Sequence, residues 1–275
     1  MTLSTIRNNP AKQKKVKTKK QKAIAATCAV AFWLLVWHVV SLCVGSELVL
    51  VSPVKVVQTL FTVIFDPDFL KTVWYSAARI LGGFFTALTL GTVLGWVASR
   101  FWVVETLLRP ITAVIKATPV ASFIILVLLW FSGKNLSVII SMLMVFPVIY
   151  MNVLEGIRSA DEKLLEMAQV FRLSVSKKLL YIYLPAVAPF FVSACSVSLG
   201  LCWKSGIAAE VIGTPDGSIG AVFYQAKIFL QTSELLAWTV VVVAVSVAFE
   251  KLFMFLLRLV LKKLKMEDVL NGKRA

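Results

Sequence analysis

The stretch from Leu136 to Leu154 reads LSVIISMLMVFPVIYMNVL and contains no charged residue. As an α-helix it would extend about 28 Å, close to the thickness of the hydrocarbon core of a bilayer. Apolar surface of this extent is stable against lipid, and a helix satisfies its own backbone polar groups there. The stretch therefore predicts a helix that crosses a membrane.

Similar apolar stretches recur along the chain. Of its 275 residues, 59% are hydrophobic and 16% are charged, and the mean hydropathy is +0.86. A soluble domain has roughly 25% charged residues, so this composition excludes a soluble protein, a disordered chain, a disulfide-rich secreted module and a coiled coil. The predicted fold class is an all-α membrane protein with about six transmembrane helices, at residues 23–45, 73–98, 111–131, 136–154, 186–212 and 235–257.

The basic residues predict how the chain is oriented. Eight of the 29 lysines and arginines lie within residues 1–22, and seven follow residue 250. With six spans, 22 of them fall on the side of both termini and 4 on the other, which predicts cytoplasmic N- and C-termini. We expect a disordered basic arm (1–22), a transmembrane domain (23–260) and a cytoplasmic tail (261–275). The arm is suited to the surface of the lipid bilayer, and no nucleic acid is expected as a partner.

The loop of residues 155–183 is more polar than the spans around it. Ser159 and Glu162 have the spacing of a capping box, in which each side chain pairs with a free backbone N–H of the first turn. Asp161 and Glu162 also suit the positive end of a helix. The pattern predicts a short amphipathic helix outside the membrane. Its apolar stripe would contact a partner, the lipid headgroups or its own bundle, and consists of Leu164, Leu165, Ala168 and Phe171.

A spaced motif follows within this loop. Glu166-Met167-Ala168 is followed after three residues by Arg172 and after nine more by Ile182-Tyr183-Leu184-Pro185. This motif resembles the EAA motif of bacterial ABC-importer permeases, which reads Glu-Ala-Ala, three residues, Gly, nine residues, Ile-x-Leu-Pro. Met167 replaces an alanine. Arg172 replaces the glycine, and this leaves the shape of the turn after the helix open, because glycine often makes such turns.

Shorter motifs elsewhere resemble the nitrate/sulfonate/taurine-type branch of these permeases. The resemblance extends from about Ser52 to Arg258. In chain order, its motifs are Ser52-Pro53, Arg79…Gly82, Pro119-x-Ala121, Trp130-Phe131-x-Gly133 and Ala208-Ala209-Glu210.

The resemblance implies a type I ABC-importer-like permease in the bacterial cytoplasmic membrane, with a cytoplasmic coupling helix. In that family two permeases form the pathway, here a homodimer, and an extracytoplasmic substrate-binding protein delivers a small solute. Each coupling helix sits in a cleft of an ATP-binding subunit, whose closure around ATP rocks the spans between outward- and inward-facing states. The implied docking residues are Leu164, Leu165, Glu166, Ala168, Phe171 and Arg172, with Pro185 starting the fifth span as a rigid lever.

The chain has no nucleotide-binding motif of its own. Its Gly-Lys pairs, Gly133-Lys134 and Gly272-Lys273, lack the upstream glycine of a phosphate-binding loop. We therefore expect no enzyme activity and no cofactor in this chain, with ATP and Mg bound by the partner ATPase. The four cysteines fall within apolar stretches and His38 has no second ligand nearby, so no metal site is predicted.

The charged residues of interest within the predicted spans are Arg79, Lys116, Lys204 and Glu210. Such charges usually face a cavity or each other, because burying one in lipid costs about 2.5–3.5 kcal/mol. Six positions separate Lys204 from Glu210, so an unbroken helix would place them on different faces. These residues are candidates for the translocation path, and the alternative is a structural role, which is favoured for Arg79 and Lys116. The three cations favour an anionic solute.

A second function class stays open from the residues alone. An ATP-independent channel or secondary carrier would also be a multi-span helical protein, but it would leave the loop helix unexplained. An intramembrane enzyme is excluded for want of a catalytic cluster.

Overall fold

The structure is a computed structural model that describes residues 19–264. The chain divides into two compact units, residues 1–55 and 56–275. The helices are α1 (Lys19–Val44), α2 (Pro53–Ile64), α3 (Phe69–Arg100), α4 (Trp102–Ala117), α5 (Val120–Trp130), α6 (Gly133–Arg158), α7 (Glu162–Val170), α8 (Val175–Lys178), α9 (Leu184–Gly213), α10 (Ile219–Ile228) and α11 (Thr232–Lys263), and a π-helical turn (Leu179–Tyr183) lies between α8 and α9.

The first unit consists of α1 and the turn that follows it. Gly45 has a φ of +64° and stands just after the last residue of α1, where a left-handed residue commonly ends a helix. The Ser41 hydroxyl donates a hydrogen bond to the Leu50 carbonyl (3.1 Å), which closes the turn. The Ser52 hydroxyl accepts from the backbone N–H of Lys55 (3.4 Å) and caps α2.

The predicted domain boundaries stay a prediction, to which the described helices add detail. The described part of α1 starts at Lys19, inside the predicted arm. The helix α11 continues to Lys263, inside the predicted tail, and the predicted domain of residues 23–260 divides after residue 55. The predicted disorder of the arm concerns residues 1–18, which lie outside the described residues, as does the tail from residue 265.

Five of the six predicted spans are confirmed as helices long and apolar enough to cross a membrane. The third, residues 111–131, is wrong as one straight helix, since α4 and α5 meet there at an angle of 109°. Thr118 at this break is extended (φ −82°, ψ 134°), because the residue before a proline avoids the helical conformation. The described residues thus hold five spans, or six if α4 and α5 together make one.

The second unit has its core where α3, α6 and α9 pack together. Glycines allow the close approach of α3 to α6. A Cβ at Gly91 would lie 2.9 Å from Ile149 Cβ, and one at Gly95 would lie 3.0 Å from Val153 Cγ1. Such packing drives helix association in lipid, where hydrophobic surface alone does not. Large side chains that are fully buried in this core include Ile80, Phe84, Ile149 and Leu199.

Candidate functional site

Asp161 caps the start of α7. Its carboxylate accepts a hydrogen bond from the backbone N–H of Lys163 (2.9 Å). The Ser159 hydroxyl instead donates to the Gly156 carbonyl (2.9 Å), because Ser159 still belongs to the end of α6. The predicted capping box of Ser159 and Glu162 is therefore wrong. Glu162 is the first residue of α7 and lies at its positive end, as predicted.

The end of α7 is a left-handed turn at Arg172, whose φ is +48°. The backbone N–H of Arg172 donates to the Gln169 carbonyl (3.0 Å), and that of Leu173 donates to the Ala168 carbonyl (2.9 Å). These are the two hydrogen bonds of a Schellman motif, and the apolar contact of Leu173 with the Ala168 cluster completes it. The turn thus forms with arginine at the position of the motif's glycine, at a steric cost of roughly 1–2 kcal/mol.

The inner face of α7 packs against its own chain. Ala168 is fully buried and forms a cluster with Ala160 and Ile182, against which Leu165 packs. The predicted single stripe is therefore divided between two faces. Leu165 and Ala168 hold α7 in place and do not form part of an exposed docking surface, which corrects their predicted role.

The opposite face of α7 exposes apolar side chains. The exposed fractions are 41% for Leu164, 48% for Met167, 78% for Val170 and 71% for Phe171. Glu166 is exposed among them, and these five residues are called the outer face of α7 below. Met167 and Val170 were missed in the sequence, although steps of three residues from Leu164 place them on the same side of a helix.

A continuous helical rod connects the turn after α7 to the membrane. The rod comprises α8, the π-helical turn and α9, and it runs from Val175 to Gly213 as one candidate span of 39 residues. Its π-helical turn has a hydrogen bond from the Leu184 N–H to the Leu179 carbonyl. A wider turn relieves the clash between the ring of Pro185 and the preceding turn. The helix that carries the fifth span therefore begins at Val175 and not at Pro185, which corrects the predicted start of the lever.

Glu210 joins three helices in the interior of the second unit. Its Oε2 atom accepts from the Ser76 hydroxyl of α3 (2.6 Å) and from the Gly220 N–H at the start of α10 (3.4 Å). The Ser76 hydroxyl in turn accepts from the Ile219 N–H (2.9 Å). Glu210 is fully buried, so it does not line an open passage in this conformation, contrary to its predicted role. It holds α10 in place, and neither α10 nor the role of Ser76 was predicted.

Arg79 lies on α3, one helical turn after Ser76. Its guanidinium donates a hydrogen bond to the Lys134 carbonyl at the start of α6, and it stacks over the Tyr75 ring at 4.1 Å from the ring centroid. Because Arg79 is held by these two contacts, its position favours the structural alternative.

Lys116 and Lys204 are both exposed. Lys116 lines a groove of about 520 Å³ between α4 and α6, together with Arg109 and the buried Tyr150, whose hydroxyl has no hydrogen-bond partner in the described part of the chain. An ion pair between Glu105 and Arg158 lies in the same groove. These residues define the polar groove, where the cations outnumber the acids.

Lys204 lies on the exposed side of α9, and the unbroken helix places it on a different face from the buried Glu210, as the spacing predicts. Within residues 19–264, no three His, Cys, Asp or Glu side chains are grouped so that they could hold a metal ion.

Comparison with known proteins gives a family match over more than half of the chain. Residues 87–266 match the family model described as binding-protein-dependent transport system inner membrane component. The chain is 29% identical over 216 residues to the putative aliphatic sulfonates transport permease protein SsuC of Bacillus subtilis (strain 168), covering 78% of each chain. It is 27% identical over 220 residues to the taurine transport system permease protein TauC of Escherichia coli (strain K12), covering 78% of this chain and 80% of that one.

A solved structure supports the fold. The chain matches the crystal structure of an amino acid ABC transporter with histidines with a TM-score of 0.51 and 16% sequence identity. The match covers 70% of this chain and 96% of the other.

Proposed function

This chain belongs to the family of binding-protein-dependent transport system inner membrane components, and from that premise we propose that it carries a small anionic solute of the nitrate/sulfonate/taurine type. It is a multi-pass permease subunit of an ABC importer, and it works with a separate ATPase subunit and a substrate-binding protein. It is a transport component and not an enzyme. The comparisons support this function and do not support the ATP-independent channel or carrier.

The outer face of α7 carries the proposed docking of the ATPase. Val170 and Phe171 are 78% and 71% exposed, on a helix that lies outside the candidate spans. Contiguous exposed apolar residues commonly mark a surface that a partner covers. An aromatic side chain that becomes buried when the partner binds, as Phe171 would be, often supplies much of the binding free energy of such an interface. Glu166 would pair with a cation at the rim.

The connection to the membrane would transmit the movement of the ATPase. The inner face of α7 is fixed by Ala168 against Ile182, which lies in the π-helical turn of the rod. A displacement of α7 would therefore move the rod from Val175 to Gly213 as one body. This arrangement favours alternating access that is driven by closure of the ATPase subunits around ATP. ATP and Mg would bind to the partner ATPase, with no cofactor held by this chain.

The anionic solute is inferred from charge and from the named relatives. The relatives are named for aliphatic sulfonates and for taurine, which also carries a sulfonate group. In this chain Lys204 is exposed, and Arg109 and Lys116 line the polar groove, which supports an anionic solute. Charged groups at membrane depth mark solute pathways in many transporters.

The proposed assembly follows from the single coupling helix. Each chain has one outer face of α7, so two ATPase subunits would require two permeases, and a homodimer is the simplest pair. The excess of basic residues near both termini supports cytoplasmic N- and C-termini, and this places α7 on the cytoplasmic side.

The test of docking is the double variant Glu166→Lys with Phe171→Asp, expressed with the ATPase subunit. We expect the permease to reach the membrane at normal level but to lose ATP-dependent uptake. Co-purification of the ATPase should weaken by more than about 30-fold, since hot-spot residues contribute about 2 kcal/mol or more. Uptake and co-purification are measured on the same membranes.

The matched control is Phe229→Asp. Phe229 is 70% exposed and is the C-cap residue of α10, as Phe171 is of α7. This control should retain the ATPase. Normal ATP-dependent uptake by the double variant would refute the docking surface, and equal loss of the ATPase in the control would show a general effect of an added charge.

A further inference from the structure

A cleft of about 650 Å³ lies where the end of α3 meets α7, α8 and the π-helical turn. Two cations line it, Arg100 at the last residue of α3 and Lys178 at the last residue of α8. Its volume is within the range of ligand sites, about 300–1,000 Å³. The cleft is called the basic cleft below, and it is separate from both the polar groove and the outer face of α7.

The charge of the basic cleft is uncompensated by its own lining. None of the described residues that line it is acidic, and neither Arg100 nor Lys178 takes part in a described ion pair. In the polar groove, by contrast, Glu105 pairs with Arg158. An occupant that complements the basic cleft is therefore an anion.

The apolar lining shows what else this anion carries. Leu165 and Leu179 line the cleft, as do the rings of Trp96 and Tyr183. Trp96 is 53% exposed and stands one helical turn before the end of the membrane span α3. Tryptophan and tyrosine are enriched at the level of the lipid headgroups, where one end of the ring is apolar and the other is wet. The site thus combines cations at the membrane surface with an apolar wall beside them.

We propose that the basic cleft binds the headgroup of an anionic phospholipid. Arg100 and Lys178 hold the phosphate, and the apolar wall contacts the glycerol and the first part of an acyl chain. Because Leu165 and Gln169 of α7 also line the cleft, the bound lipid braces the coupling helix against the end of α3. The inference rests on the proposed orientation, which puts this end of α3 in the cytoplasmic leaflet.

The experiment titrates the purified transporter, permease with its ATPase subunit, with phosphatidylglycerol and with phosphatidylcholine of identical acyl chains. Retained lipid is counted by native mass spectrometry. We expect tight retention of phosphatidylglycerol alone. A Lys or Arg near the surface contributes about 1 kcal/mol, so Arg100→Gln or Lys178→Gln should weaken it about 5-fold, and both together about 30-fold.

Lys177→Gln is the matched control, because Lys177 is the exposed neighbour of Lys178 and does not line the cleft. It should leave retention unchanged. Equal retention of phosphatidylcholine, or unchanged retention of phosphatidylglycerol in the double variant, would overturn the proposal. Displacement of the lipid by inorganic phosphate would also overturn it, by showing a site for free oxyanions.

A second measurement needs no substitution. Phosphatidylglycerol with a photoreactive headgroup should crosslink to peptides that contain Trp96 or Tyr183 in the unaltered transporter. Crosslinks confined to other segments, or capture of the ATPase or of residues 1–18 at this cleft in place of lipid, would assign it another occupant. A wrong orientation can be told apart from a wrong lipid site. If α7 lay outside the cell, a cysteine introduced by Lys163→Cys would be labelled by an impermeant thiol reagent from outside.

Discussion

The left-handed conformation of Arg172 leads to a measurable prediction. With a φ of +48°, its Cβ is held close to neighbouring backbone, at a cost of roughly 1–2 kcal/mol that glycine does not have. The unfolded chain has more conformational entropy with glycine than with arginine at this position, and this offsets about 0.5–1 kcal/mol of the relieved steric cost. The exposed Arg172 side chain loses little by truncation. We therefore expect Arg172→Gly to stabilise the turn by about 0.5–1 kcal/mol.

The assay is amide hydrogen exchange at the end of α7, because Leu173 donates one of the two hydrogen bonds of the turn. A gain of this size should slow the exchange of that amide about 2- to 5-fold. Arg172→Ala removes the same charge but keeps the Cβ, so it should give no such gain. If alanine slowed exchange as much as glycine, or if glycine accelerated it, backbone strain at Arg172 would be refuted.

A second turn provides an internal standard. Leu230 has a φ of +55°, and the Gln231 N–H donates to the Ala226 carbonyl (2.8 Å) in the same arrangement after α10. Leu230→Gly should slow exchange there and leave α7 unchanged. Equal effects on both turns from either variant would indicate a global change in stability.

Two further predictions concern the packing of α9. Ser76→Ala removes a hydrogen bond to the buried Glu210 and should destabilise the purified protein by about 1–3 kcal/mol in thermal unfolding. Ser205→Ala is the control and should have a smaller effect, because the Ser205 hydroxyl donates to carbonyls of its own helix. Equal melting temperatures of the two variants would contradict a stabilising role of the Ser76–Glu210 hydrogen bond. Gly206→Ala would place a Cβ 2.6 Å from a core side chain and should lower the free energy of unfolding by about 1–3 kcal/mol. Gly200→Ala is the control and should not destabilise the protein, because nothing lies within 4 Å of the added Cβ. An unchanged stability of the Gly206→Ala protein would argue against this packing.

The membrane spans could be predicted because each is a local property of the sequence. The length of each apolar stretch was enough for five of them, as the stretch from Leu136 to Leu154 illustrates. The break at Thr118-Pro119 was also encoded locally, but a hydropathy profile does not show a change in the direction of the helix axis. Two apolar helices that meet at 109° have the same hydropathy profile as one straight helix.

The sequence predicted the loop helix α7 but did not predict which residues it contacts. Polar periodicity located α7, but the cap moved from Ser159 to Asp161, since helix ends vary by a few residues around equally good capping groups. The apolar residues divided between two faces because only the packing of Ala168 against Ile182 decides which side is covered. Pattern alone could not distinguish an inner from an outer apolar side.

The sequence by itself determined that the chain is a helical membrane protein with a polar loop helix, because apolar length, charge placement and motif spacing are read along the chain. Only the tertiary structure decided the roles of individual side chains. Ser76 and Glu210 are separated by 134 positions and meet at 2.6 Å, and Arg172 adopts a turn that its side chain disfavours. Contacts of this kind depend on how helices are placed beside one another, and that placement is set by the packing of the whole chain.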